Sequence, residues 1–372
     1  MKIKKVRVGV NGYGVIGKRV ADAVRMQPDM ELVGVSDIIT DYRIKVAAKL
    51  DIPIYASRAE DETKMKDADI PVVGVLDKMI GAVNVMVDCT PKGIAAMNLE
   101  KYKTAGVKAI VQGGEKHSVT GHSFVAQANY ATALGHDVTR VVSCNTTSIV
   151  RTLGALQDAK LLKKARGVLM RRATDPWESD RGGIMNTIVP EPHIPSHQGP
   201  DAQTVRPELD LVTIAAKASH TECHNHYWVV ELTHSSSQEE VLDAFRKAPR
   251  IAFIRMSEGI VALNSTLELM RDLGRPRGDM WEVALWEDVL TVNGAECYYT
   301  YQVDNESIAI PENIDAIRAL SGIVKDGQES IRMTDEALGI KRDFIDQKGI
   351  SSFVQRVSSN SKLDLAAEQG GG

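Results

Sequence analysis

A glycine-rich turn near the amino terminus constrains this chain more than any other stretch. The segment Gly12-Tyr13-Gly14-Val15-Ile16-Gly17 follows an apolar, strand-like run and precedes a stretch with helical spacing. In that setting Gly12 permits the tight turn, Gly14 lets a pyrophosphate approach the backbone, and Gly17 lets helix and strand pack closely. We therefore predict a parallel α/β sheet with a dinucleotide site at its start.

The second strand-like run ends at an acidic residue. Asp37 lies about 20 residues after Gly17, the distance at which a carboxylate accepts hydrogen bonds from the adenosine ribose. A carboxylate there repels the 2′-phosphate of NADP. The sequence therefore predicts NAD as the preferred cofactor, with NADP as the weaker alternative. A turn residue that merely ends the strand is the competing interpretation of Asp37.

Strand-like and helix-like stretches continue to alternate up to residue 143. Ligands of doubly wound sheets bind beyond the carboxyl ends of the strands. The loops at Thr90-Pro91 and Gly113-Gly114 follow two such strands, so we expect them to line the cofactor groove. Cys89, which precedes the first loop, is expected to pack beside the groove and not to react.

A second feature is the pentapeptide Ser143-Cys144-Asn145-Thr146-Thr147, which precedes a predicted helix at residues 149–160. A cysteine at the head of a helix lies among backbone N–H groups that stabilise the thiolate, so we expect a lowered pKa for Cys144. The same N–H groups can donate to an oxyanion or a phosphate oxygen. An activated nucleophile is predicted, and a buried structural cysteine is the alternative.

A cysteine nucleophile needs a proton acceptor, and two histidines are candidates. His224 and His226 lie between two strand-like runs, and in an extended segment their spacing places both on one face. The spacing does not decide which of them meets Cys144. Zinc binding by Glu222, Cys223 and these histidines is a competing interpretation, weakened because groups so close in sequence cannot all point at one ion. No metal site is predicted.

A thiolate beside a dinucleotide points to one reaction class. The sulfur attacks an aldehyde, hydride passes to the nicotinamide, and phosphate or water releases the acyl group from the resulting thioester. Arg171, Arg172, Thr146 and His197 offer charges and hydrogen bonds suited to phosphate oxygens. A solvated basic pair and a loop histidine are the alternative.

The length of 372 residues predicts two domains. We expect a Rossmann doubly wound parallel sheet in residues 1–143, completed by a helix at 311–340. An α+β catalytic domain with a mostly antiparallel sheet is expected in residues 144–310. Residues 341–372 are expected to form a C-terminal extension without an assigned role.

The composition argues against some classes of binding partner and indicates a cellular compartment. The net charge of −4 argues against nucleic acid, and the chain has no apolar run of 18 residues that would predict a membrane span. Four widely spaced cysteines give no CxxC pair, and the amino terminus lacks a signal-peptide pattern, so we expect a reducing cytoplasm.

These residues resemble the archaeal-type, phosphorylating glyceraldehyde-3-phosphate dehydrogenases. The matching segments are residues 11–23, 88–91, 112–117, 141–147, 171–172, 195–197 and 311–316, in family order. The resemblance implies NAD(P)-dependent oxidation of D-glyceraldehyde 3-phosphate to 1,3-bisphosphoglycerate by a homotetramer. It also implies that Cys144 is the nucleophile and that the catalytic histidine is His224, the first of the pair.

The resemblance assigns further contacts. Val15, Ile16, Gly114, Arg172 and Asn305 would touch the cofactor, and Ser143, Asn145, His197 and Gln198 would hold the substrate or inorganic phosphate. Relatives often carry paired histidines where this chain has His197-Gln198, and methionine where it has Cys223. A semialdehyde or acyl-phosphate dehydrogenase of related plan, and a non-catalytic dinucleotide sensor, are the alternative functions.

Overall fold

The glycine-rich turn lies at the centre of a parallel sheet in the computed structural model, which describes residues 5–112 and 114–345. The strands of this first sheet are β1 (Val6–Asn11), β2 (Met30–Asp37), β3 (Ile54–Ala56), β4 (Val72–Val75), β5 (Val85–Asp88), β6 (Lys108–Gln112), β7 (Ser123–Phe124) and β8 (Val138–Val141). Their order is β4-β3-β2-β1-β5-β6-β8-β7 with every pairing parallel. The order reverses direction at β1, so a crevice opens beyond the carboxyl ends of β1 and β5.

A second sheet follows along the chain. Its strands are β9 (Leu162–Arg172), β10 (Ile188–Pro190), β11 (Leu211–Ala218), β12 (His224–Leu232), β13 (Ile251–Ile254), β14 (Val283–Trp286), β15 (Thr291–Asn293) and β16 (Glu296–Val303). Five of its seven pairings among the described residues are antiparallel and two are parallel. The predicted fold class, a parallel Rossmann sheet with a mostly antiparallel partner sheet, is confirmed.

Helices cover both sheets. They are α1 (Val15–Met26), α2 (Tyr42–Lys49), α3 (Ala59–Asp67), α4 (Leu76–Ile80), α5 (Ile94–Thr104), α6 (His117–Thr120), α7 (Ala126–Ala133), α8 (Cys144–Asp158), α9 (Ser179–Gly182), α10 (Gln198–Gln203), α11 (Gln238–Lys247), α12 (Leu263–Asp272), α13 (Ile310–Ser321) and α14 (Gly327–Leu338). Among the residues described, no helix combines the length and apolar character that crossing a bilayer requires.

Two helix predictions need correction. Helix α8 begins at Cys144 and not at residue 149, because Ser143 caps it and tertiary packing overrides the weak helix propensity of Asn and Thr. The helix predicted at 311–340 is two helices, because Gly322 adopts φ +69° and ends α13. Both helices pack against α7, as a segment completing the first sheet would. The domain boundaries themselves stay a prediction, and most of 341–372 lies outside the described residues.

Buried charges fix α8 against α13. Arg151 of α8 donates to Glu312 of α13 at 2.6 Å, and neither side chain is exposed to solvent. Arg250 donates to the same carboxylate at 3.1 Å. Removing one member of a buried pair leaves an uncompensated charge, at a cost of about 3–5 kcal/mol. The helix that begins at Cys144 is therefore tied to α13 and also packs on β9, β14 and β16 of the second sheet.

Candidate active site

The amino end of α8 places Cys144 at the carboxyl edge of the first sheet. Strand β8 ends at Val141, and Ser143 then caps the helix by accepting from the backbone N–H of Thr146 at 3.4 Å. Cys144 is the first helical residue and is only partly buried. Its sulfur thus lies at a helix amino terminus, on the edge of the sheet where ligands of this fold bind.

Strand β12 brings both histidines to that sulfur's side of the second sheet. Its burial alternates, with His224, His226 and Trp228 inward and Tyr227 and Val229 exposed. The segment is extended, so the prediction that the two imidazoles share one face is confirmed. Their partners nevertheless differ.

His224 is the histidine that meets the sulfur. Its Nε2 lies 3.3 Å from the Sγ of Cys144, and its Nδ1 lies 3.0 Å from the backbone N of Arg172. Because that backbone N–H can only donate, Nδ1 must accept, and the neutral ring carries its proton on Nε2. The hydrogen atom of His224 therefore points at Cys144.

His226 contacts the residue after the cysteine. Its Nε2 lies 2.8 Å from the Oδ1 of Asn145, and its Nδ1 lies 2.8 Å from the hydroxyl of Tyr301. The amide nitrogen of Asn145 then faces the Sγ of Cys144 at 3.7 Å. His226 thus orients the amide of Asn145 towards the sulfur. Of the two histidines, His224 is the one that contacts Cys144 directly.

Burial dominates the titration of these groups. It raises the pKa of the Cys144 thiol, although the charges of Arg172 and Arg171 pull that pKa down. The expectation of a lowered pKa is wrong, because desolvation of the thiolate outweighs the helix terminus and the two guanidinium groups. Burial also lowers the pKa of His224 well below its usual value and that of His226 to about 3. Thiol and imidazole are therefore both neutral near pH 7.

The residues predicted to hold phosphate differ in their surroundings. Arg171 and His197 share one carboxylate, since Arg171 donates to Glu191 and His197 Nδ1 lies 3.3 Å from the same side chain. Gln198 is fully buried, and neither polar atom of its amide has a partner in the described part of the chain. Thr146 is instead turned inward and donates to Asp201 at 2.7 Å.

The cofactor side is shaped mainly by backbone. Gly12 adopts φ +91°, and a Cβ on Gly17 would lie 1.8 Å from the carbonyl oxygen of Gly12. A Cβ on Gly14 would meet nothing within 4 Å, so it would project into the open crevice. Asp37 accepts from the backbone N–H of Tyr13 at 2.6 Å, which ties the end of β2 to the turn.

The remaining predicted cofactor residues lie on several different elements. Val15 and Ile16 begin α1, and Gly114 is exposed after β6, whereas Gly113 lies outside the described residues. The hydroxyl of Thr90 donates to Asp88 at 2.5 Å. Asn305 accepts from the backbone N–H of Cys223 at 2.7 Å, and its buried amide nitrogen has no partner among the described residues.

Sequence reasoning missed Glu191, Asp201 and Tyr301. Glu191 directly follows the short strand β10, where a single acid carries no motif. The role of Tyr301 depends on the register of β16 against β12, in which it lies opposite His226. Only the alternation of β16, with inward aromatic residues at spacing two, could have pointed to it.

Comparison with known proteins agrees with this geometry. The family described as glyceraldehyde 3-phosphate dehydrogenase, C-terminal domain, matches residues 143–275. Glyceraldehyde-3-phosphate dehydrogenase 1 of Methanosarcina barkeri is 44% identical over 339 residues, which cover 91% of this chain and 99% of that protein. Glyceraldehyde-3-phosphate dehydrogenase of Methanothermobacter thermautotrophicus is 43% identical over 336 residues, covering 90% and 99%. This chain therefore belongs to the glyceraldehyde-3-phosphate dehydrogenase family, in its archaeal type.

Proposed function

We propose that this chain catalyses the phosphorylating, NAD(P)-dependent oxidation of D-glyceraldehyde 3-phosphate to 1,3-bisphosphoglycerate. The observation that carries the proposal is the 3.3 Å contact between Cys144 Sγ and His224 Nε2, at the edge of a dinucleotide-type sheet. Family membership supplies the substrate, because the relatives named above carry that activity in their names.

The residues present fit a nicotinamide dinucleotide. The space in front of Gly14 admits a pyrophosphate, and Asp37 at the end of β2 can accept from ribose hydroxyls. The unpartnered amide nitrogen of Asn305 can donate to a carboxamide oxygen. Thr90, Gly114 and Arg172 are proposed to contact the same cofactor. When bound there, the nicotinamide accepts the hydride that leaves the substrate carbon.

The sulfur of Cys144 is the nucleophile in this proposal. The thiol releases its proton to solvent, and the thiolate forms a C–S bond to the aldehyde carbon, whose oxygen becomes an oxyanion. The Nε2–H of His224 and the amide of Asn145 are placed to donate to developing negative charge beside the sulfur. The oxyanion then re-forms its C=O bond as hydride leaves, and a thioester remains on Cys144.

His224 acts in this scheme as a hydrogen-bond donor. A base at Nε2 would need the proton on Nδ1, where it would face the backbone N–H of Arg172 at 3.0 Å. A donor at Nε2 needs no change of tautomer and stabilises both the thiolate and the oxyanion. Hydride loss from an oxyanion requires no further proton acceptor.

Phosphate completes the reaction in the proposal. One oxygen of inorganic phosphate attacks the thioester carbon, the C–S bond breaks, and the thiolate of Cys144 leaves as the acyl phosphate forms. Arg171, His197, Gln198 and Ser143 are proposed to hold the phosphate groups. Thr146 is proposed to support Ser143, since their hydroxyl oxygens lie 2.9 Å apart.

Two further properties belong to the proposal. NAD is preferred over NADP, because the Asp37 carboxylate lies where a 2′-phosphate would come. The enzyme works in the cytoplasm, a setting that suits four cysteines that are all unbridged.

The assembly is proposed to be a homotetramer that covers the outer face of the second sheet. That face exposes five large apolar side chains: Val168, Ile214, Tyr227, Val229 and Tyr298. A second copy of this chain is the proposed occupant, because contiguous apolar surface of this kind marks association sites. Sedimentation of the Val229→Glu variant tests this, and an unchanged tetramer would contradict this choice of face.

The Cys144→Ser variant tests the activity. A serine hydroxyl cannot form the thiolate, so turnover of glyceraldehyde 3-phosphate with phosphate should fall by more than about 10³-fold. The dissociation constant for NAD, measured by quenching of tryptophan fluorescence, should stay within twofold to threefold of the parent, a range of roughly 0.6 kcal/mol. Cys89→Ser is the matched control and should retain turnover. Full activity of Cys144→Ser would overturn the proposal.

A further inference from the structure

We infer that Glu191 is a carboxylate in the phosphate site that competes with a phosphate group for Arg171 and His197. This inference rests on the proposed function, because it takes Arg171 and His197 as phosphate ligands. It adds a residue that controls how tightly phosphate is held.

Both carboxylate oxygens of Glu191 face cationic or protonatable groups. Oε1 accepts from Nη1 of Arg171, and Oε2 lies 3.3 Å from Nδ1 of His197. The backbone N–H of Glu191 donates to the carbonyl oxygen of Ala215 at 2.8 Å, so the residue is anchored beside β11. Its side chain is 17% exposed, and that of Arg171 is 21% exposed.

Arg171, which Glu191 contacts, lies close to the sulfur of Cys144. The positive charge of Arg171 acts on the thiol of Cys144, which places the guanidinium near the sulfur. The Nε of Arg171 is buried without a partner among the described residues, as are both amide atoms of Gln198. These groups therefore have donors to spare, while Glu191 satisfies only part of the cluster.

A carboxylate and a phosphate compete for the same donors. Both present anionic oxygens that accept from a guanidinium, and Arg171 cannot direct one N–H fully at both. The N–H that Glu191 holds is not free for phosphate, so phosphate binding either draws it away from that carboxylate or brings a second anion against the same guanidinium. This lowers the affinity for phosphate and assists release of a phosphorylated product.

The test is the Glu191→Gln variant, which keeps the shape of the side chain and removes its charge. We expect the dissociation constant of inorganic phosphate, measured by titration calorimetry on the full-length protein with NAD bound, to fall about twofold to fivefold, as loss of a partly exposed ion pair permits. The control is Glu178→Gln on the same loop, since Glu178 contacts Thr174 and neither phosphate ligand. It should leave phosphate binding unchanged.

Kinetic constants separate the two phosphate groups. A lower KM for inorganic phosphate assigns Glu191 to the attacking phosphate, and a lower KM for glyceraldehyde 3-phosphate assigns it to the substrate's own phosphate. Either result supports the inference. Unchanged affinity for both, or a weaker affinity that marks Glu191 as a support for Arg171, overturns it.

The Arg171→Gln variant distinguishes failure of this inference from failure of the proposed function. If Arg171→Gln weakens phosphate binding while Glu191→Gln has no effect, the phosphate site stands and the competing role of Glu191 fails. If Arg171→Gln also leaves both phosphate constants unchanged, Arg171 is not a phosphate ligand, and the inference falls together with that part of the proposed site.

Discussion

The cofactor edge of the first sheet and the catalytic face of the second are built by different means. At the cofactor edge, three glycines within one turn shape the crevice through missing side chains. On the catalytic face, a chain of side-chain contacts runs from Cys144 through Asn145 and His226 to Tyr301. The first region should therefore respond to added volume, and the second to lost hydrogen bonds.

Removal of the imidazole at 224 tests the catalytic face most strongly. His224→Ala should lower kcat by about 10²- to 10³-fold, the usual effect of deleting one donor to an oxyanion. His224→Gln can place an amide N–H near the former Nε2 and should recover part of that loss. NAD affinity should change little in either variant.

The pair of variants also separates a donor from a base. Glutamine donates a hydrogen bond but cannot accept a proton at neutral pH. If His224→Gln is as slow as His224→Ala in steady-state assays, the donor role proposed from the Arg172 contact is wrong. Equal thermal unfolding temperatures of the two variants serve as the control for folding.

Two glycines of one turn test the cofactor edge. Gly17→Ala places a methyl group 1.8 Å from the carbonyl oxygen of Gly12. The backbone must shift, which we expect to cost about 1–3 kcal/mol in the free energy of unfolding. Gly14→Ala meets no protein atom within 4 Å, so the unfolding temperature should stay unchanged.

Affinity for NAD gives a second test of the Gly14→Ala variant. In Gly14→Ala the new methyl group stands in the space proposed for the pyrophosphate, so NAD should bind at least about tenfold more weakly, or 1.4 kcal/mol. Denaturant unfolding and fluorescence titration measure the two effects. A Gly14→Ala protein that binds NAD normally would contradict the placement of the pyrophosphate.

The same contrast explains what the sequence could predict. The glycine turn and Asp37 form a local pattern whose geometry follows from steric rules, so the first sheet and its crevice were predicted correctly. The parity of His224 and His226 was also predictable, because it needs only an extended segment. Which histidine meets Cys144 was not, because it depends on the placement of β12 against α8.

Other parts of the site depended on quantities that a sequence does not contain. The pKa of Cys144 was predicted to be lowered, but burial decides its direction, and burial follows from packing of both sheets around the sulfur. Glu191, at the end of the short strand β10, meets Arg171 and His197 only through the tertiary fold. Neither fact leaves a periodic or spaced signal in the chain.

Loss of the contact between His226 and Asn145 should have a smaller effect, on the reactivity of Cys144. His226→Phe keeps a ring but loses the hydrogen bond that orients Asn145, so the thiolate of Cys144 loses a donor. The midpoint of the pH profile for iodoacetate alkylation should rise by about 0.5 to 1 pH unit, because one weak donor to a charged group is removed. The rate at neutral pH falls accordingly.

Tyr301→Phe is the matched control for this network. It removes the hydroxyl at His226 Nδ1 but leaves the contact between His226 and Asn145 in place. Its alkylation midpoint should move less than that of His226→Phe. No shift in His226→Phe would show that Asn145 is oriented without His226. A purely structural role would lower stability and leave the midpoint in place.

The smallest expected effect is on the choice between NAD and NADP. It depends on the charge of Asp37 at the adenosine end of the cofactor edge, and not on side-chain volume. Asp37 holds its carboxylate at the backbone N–H groups of Tyr13 and Ile38, at 2.6 and 2.7 Å, so the negative charge is fixed at the end of β2. Asp37→Asn preserves one acceptor for these groups and removes the repulsion of a 2′-phosphate. The ratio of NADP to NAD affinity should rise about twofold to fivefold, the value of a partly exposed charge pair.

Asp51→Asn is the matched control, since it carries the same charge change before β3, at the opposite edge of the sheet. It should leave the affinity ratio unchanged, because repulsion between exposed charges is screened beyond about 10 Å at 0.1 M salt. The gain in Asp37→Asn should likewise shrink as salt is added. If the ratio of NADP to NAD affinity does not change in Asp37→Asn, the charge of Asp37 does not select the cofactor. The cofactor edge then acts through its shape alone, unlike the catalytic face, which acts through hydrogen bonds.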